Sequence, residues 1–155
     1  MMVNEGLGLS GLVEAQVSVL TGLQVIIAEK RRAIEFLTAA GTPEALSGLV
    51  QGLEATLGEE DVQKKGKLIG LYGQGMSRGL SKEDQLGISE SVLQVVSNNI
   101  DRVDVHQFSG LLVLLQNLVG RDQEKFGAMK QRLRRAHPHL DVGKMQILNS
   151  RLVNG

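Results

Sequence analysis

At 155 residues, with 42% hydrophobic residues and 17 Lys+Arg balanced by 17 Asp+Glu, the chain has the size of one domain and the composition of an ordinary folded protein. The absence of cysteine excludes a disulfide scaffold, a thiolate zinc site and a cysteine nucleophile. A net charge of zero excludes a uniformly basic protein that coats phosphate, and no Trp, one Tyr and three Phe leave few rings to stack on bases.

From the N-terminus, Met1 to Glu5 lacks the basic stretch of a secretory leader, and residues 1–8 read as a flexible lead-in. The segment from about Leu9 to Ala39 carries Leu12, Val13, Val19, Leu20, Leu23, Ile26, Ile27 and Ile34 at helical spacing, so it reads as one long helix with a broad apolar face. Gly41 stops it. Thr42 then suits an N-cap, Pro43 the first helical position and Glu44 the first turn, ahead of a stripe from Leu46 to Leu57. Glu59, Glu60 and Asp61 can open a third helix. Gly66, Gly70, Gly73, Gly75 and Gly79 each cost about 1 kcal/mol relative to Ala inside it. The expectation is therefore a helix that frays over 73–80 into a hinge or loop, with Gly66 and Gly70 offering a face for close packing. Ser81 with Asp84, Asp104 with Gln107, Asp122 and Asp141 mark further helix starts. The helix beginning near Asp104 is the most apolar, through Phe108, Leu111, Leu112, Leu115 and Leu118. Pro138 forces a break before a short last helix.

These segments number six or seven, no strand alternation competes with them, and no linker divides the chain. The expected fold is all-α: residues 1–155 as a single compact bundle of about six helices, mostly antiparallel hairpins. The longest uncharged runs, Ala15–Ala28 and Val105–Gly120, are 14 and 16 residues, short of the roughly 20 that cross a bilayer. A cytoplasmic protein without membrane contact is the corresponding expectation.

Motifs that carry chemistry fail their context tests. Gly6-Leu7-Gly8-Leu9-Ser10-Gly11 spells G-x-G-x-x-G, but a dinucleotide site needs a strand before it and a βαβ unit after it. The run from Gly66 to Gly79 lacks the G-K-[ST] of a phosphate loop. His137 and His139 flank Pro138 with Asp141 nearby, too few ligands on too extended a turn for catalytic zinc, and His106 reads as a surface or capping group. Paired carboxylates sit at helix starts, where the dipole rather than acid–base chemistry accounts for them. No enzyme, cofactor or metal is expected.

Charge distribution is more informative than its sum. Residues 1–63 hold nine acids and three bases, and residues 121–155 hold eight bases and three acids. The basic end can meet acidic helices of the same or a neighbouring copy, or Lys130, Arg132, Arg134 and Arg135 can meet nucleic-acid phosphates. The first long helix is apolar on more than one side and so must be covered on more than one side, which points to a partner at Val19, Leu23, Ile26 and Ile27. The expected function is a non-enzymatic interaction or assembly module (an adaptor, chaperone or small structural subunit) that self-associates. The alternative is a helical nucleic-acid-binding subunit of a larger complex.

Overall fold

A computed structural model describes residues 5–22 and 25–150. Its described residues form eight α-helices: α1 Glu5–Thr21, α2 Ile27–Ala40, α3 Pro43–Leu57, α4 Val62–Gly79, α5 Lys82–Asn98, α6 Val105–Leu118, α7 Gln123–Ala136 and α8 Val142–Asn149. A single 3-10 turn, Ile100–Arg102, joins α5 to α6. The all-α class is as expected, with two more helices than the six anticipated.

Most starts are built by the caps that the sequence announces. Side-chain oxygens of Thr42, Asp61, Ser81, Asp122 and Asp141 each accept the backbone N–H three residues on, at 3.0–3.1 Å. Asp104 and Gln107 form a full capping box, with bonds of 2.8 and 3.0 Å. Gly41 closes α2 in the left-handed region at φ 60°, its N–H bonded to Leu37 O, and Gly120 with Arg121 turns the chain from α6 to α7 at φ 66° and 62°.

Against the seven segments read from the sequence, the additional helix comes from the one expected to be a single long helix over residues 9–39. The chain ends α1 at Thr21 and restarts with Ile26 as the N-cap of α2. The physical reason is burial. Folding back lets Val13 and Leu20 on α1, and Ile34 and Leu37 on α2, enter one core, which a single straight rod could not achieve in so small a domain.

The expected hinge at 73–80 is instead helix to Gly79. The propensity cost of its glycines is outweighed by packing. A Cβ at Gly75 would collide with Ile34, and one at Gly79 would lie 2.6 Å from Thr38 Oγ1, so α2 sits directly on the α4 backbone. A second pair of glycines, Gly48 and Gly52 on α3, receives Val17 and Leu20 of α1 in the same way. Gly66 and Gly70, expected to serve close packing, have nothing within 4 Å of a Cβ.

Packing then proceeds in order. α1 lies on α2 and α3, both of these lie on α4, and α4 lies on α6, with α5 bridging α3 to α6. Tyr72, Phe108, Leu53 and Leu111 are fully buried at the centre. Two lysines from different helices pin the 3-10 turn: Lys144 of α8 donates to Ile100 O at 2.8 Å, and Lys65 of α4 donates to Arg102 O.

Candidate functional site

The fold converts the charge gradient of the sequence into faces. Helices α1 and α3, which pack together, contain Glu5, Glu14, Glu44 and Glu54 and no basic residue. Helices α4 and α6, which also pack together, contain no carboxylate at all. Their cations are Lys64, Lys65, Lys67 and Arg78, with His106 at the start of α6. Lys65 is buried against Arg102 O and Lys64 pairs with Glu59 at 3.4 Å, so Lys67 and Arg78 are the exposed cations of α4, Arg78 lining the α6 side and Lys67 lying toward α2.

Between α4 and α6 runs a groove of about 560 Å³. One wall carries Gly66, Gly70, Gly73 and Ser77, which share a face at spacings of four, three and four; Gly110 lies on the other wall. Buried Ile69 and Leu114 contribute its apolar lining. Gly66, Gly70 and Gly73 leave bare helix backbone at the surface, since nothing fills the space where side chains would stand. Gln107 Nε2, bonded to Val62 O at 3.1 Å, ties the start of α6 to the start of α4.

On the acidic side α1 is covered by α2 and α3 and open elsewhere. Val13, Val17 and Leu20 face α3, while Leu9 and Leu12 remain 41% and 53% exposed. Of the four residues expected at a partner interface, Ile26 is 61% exposed, Val19 and Ile27 are half-buried, and Leu23 lies outside the described residues.

The basic C-terminal segment is placed differently from the phosphate-facing arrangement that its sequence allows. Arg132 pairs with Glu90 at 2.7 Å. Arg134 donates to Leu148 O at 2.9 Å and to Gln131, and Lys130 donates to Ser150 O at 2.9 Å while lying 5.0 Å from the Phe126 ring centre. Lys130 and Arg134 therefore hold the carbonyl end of α8, where the helix dipole favours cations. Burial, and then the Arg134 charge, lowers the Lys130 pKa from its ordinary value. Arg135 is exposed on α7.

The remaining motifs resolve locally. Gly6 to Gly11 lies within α1. His137 ends α7, its Nε2 2.9 Å from Ser97 Oγ, and His106 and His139 are exposed. Among the described residues no three His, Asp or Glu side chains gather in a metal-binding group, and no helix is long and apolar enough to cross a membrane. Sequence reasoning missed the α4/α6 face. The signal for it was present: the two segments 62–79 and 105–118 lack Asp and Glu entirely. No protein-family model, curated protein or solved structure matches the chain.

Proposed function

We propose that this protein is a non-enzymatic assembly module that acts through its helix faces and self-associates. The observation that carries this reading is the uncovered side of the first helical hairpin. Three of the seven exposed large apolar side chains among the described residues, Leu9, Leu12 and Ile26, belong to this hairpin, whereas Val62, Leu86, Val105 and Val142 are on four other helices. Exposed apolar groups gathered on one hairpin, with a carboxylate-free groove on another part of the fold, suit an association surface.

The test is sedimentation equilibrium of the purified protein over a wide concentration range. The wild type should show mass rising with concentration, and Leu12→Asp and Ile26→Asp should each suppress the rise without changing the helical circular dichroism. A monodisperse monomer at high concentration sinks the reading.

One observation favours a second reading, the nucleic-acid subunit. The α4/α6 face has cations and no acid to repel phosphate. Purification with and without nuclease separates the two: material whose mass falls and whose 260 nm absorbance disappears after nuclease belongs to the second class.

A further inference from the structure

Self-association leaves open which two surfaces meet. Resting on the assembly reading, we propose that α1 of one copy lies lengthwise in the α4/α6 groove of a second copy of this chain, joining copies head to tail.

Charge complementarity selects this pairing over its alternatives. α1 and α3 offer only carboxylates, and the walls of the groove offer none, with the exposed cations Lys67 and Arg78 on α4. Pairing α1 with α1 would bring Glu14 against Glu14, and pairing groove with groove would oppose like cations, both of which disfavour association.

Relief and length agree with it. On the outward side of α1, away from Val13, Val17 and Leu20, Gly8, Gly11, Ala15 and Ser18 follow one another at spacings of three, four and three. A Cβ at Gly11 would meet nothing within 4 Å. Gly11, Ala15 and Ser18 of this narrow ridge are exposed, and the glycine-walled groove is the counterpart that admits a helix to the short end of the roughly 8–10 Å range of axial distances. Leu12, 53% exposed, borders the ridge and meets the apolar lining that Ile69 and Leu114 give the groove. α1 at 17 residues is about 25 Å long, enough to span the α4 wall of the groove from Gly66 to Arg78, about 20 Å.

Because the two surfaces are different patches, the contact is heterologous. Each copy keeps one ridge and one groove to offer, and assembly ends only where the rotation closes a ring.

The experiment reads association by sedimentation equilibrium in the full chain. Gly70→Leu fills the groove with a better helix former than glycine, so it should weaken association by about tenfold or more while the melting temperature stays at or above that of the wild type. Glu14→Lys alone, and Lys67→Glu with Arg78→Glu, should each weaken it comparably, and an equimolar mixture of these two proteins should associate again. If the wild type associates but Gly70→Leu associates equally well, or the mixture fails to recover, the pairing is overturned while the assembly reading stands. If the wild type remains monomeric throughout, the assembly reading falls and the pairing with it.

Discussion

Glycine has two opposite uses in this chain, and substitution separates them. Gly52 lies under Leu20 and the Tyr72 hydroxyl, so Gly52→Ala must displace one or the other and should cost about 1–3 kcal/mol in urea unfolding. Gly66 opens to solvent within a helix, and Gly66→Ala should stabilise by up to about 1 kcal/mol in the same assay. Equal effects at the two positions would contradict the packing described. Tyr72 itself is a second residue-scale test. Burial pushes its phenol well above the ordinary value, an effect the Thr56 side chain only partly offsets. The hydroxyl has no partner with hydrogen-bond geometry among the described residues. Removing such a group gives up little, so Tyr72→Phe should be at least as stable as the wild type. A loss above about 1.5 kcal/mol would assign the hydroxyl a bond that this geometry lacks.

At the scale of elements, helix starts were legible because their chemistry is local. Thr42, Ser81, Asp104, Asp122 and Asp141 each announce a cap within four residues, and each forms one. The end of α1 at Thr21 and the start of α2 at Ile27 were not legible, since they depend on what α1 and α2 bury after folding back rather than on a strong local stop. The continuity of α4 was equally hidden, because local propensity counts the cost of Gly75 and Gly79 and cannot see Ile34 and Thr38 seated on them. The lysine clamps around the 3-10 turn belong to the same long-range class. Lys144→Met keeps the stem and removes the bond to Ile100 O, and should cost about 2 kcal/mol, read by urea unfolding. Joints between elements also set the response to acid. Burial works against the Glu59 carboxylate, but the Asp61 N–H and the Lys64 ammonium outweigh it and hold its pKa below the usual value; the Lys144 N–H does the same at Asp141. A carboxyl whose folded pKa is depressed stabilises the fold above its unfolded pKa, and that contribution is lost as pH falls through the folded value. The urea midpoint should therefore drop on acidification below the ordinary carboxylate range, and Glu59→Gln should flatten the drop.

For the molecule as a whole, the sequence divided charge by position along the chain, and the fold divides it by face. The basic end, which looked available for phosphate, is largely occupied with its own chain. Arg134→Ala should accordingly release α8, seen as faster amide exchange over residues 142–149, before it changes any binding. Arg135→Ala, on the exposed side of α7, should leave that exchange unchanged. The segregation of α1 and α3 from α4 and α6 has a consequence that concerns no partner at all. With 17 positive and 17 negative groups in the whole chain, and the four carboxylates of α1 and α3 set apart from the four cations of α4, the protein has almost no monopole at neutral pH and a permanent dipole moment fixed to its frame. It should drift little in a steady electric field and yet rotate to align with it, so that transient electric birefringence registers a molecule that free-flow electrophoresis leaves nearly at its origin.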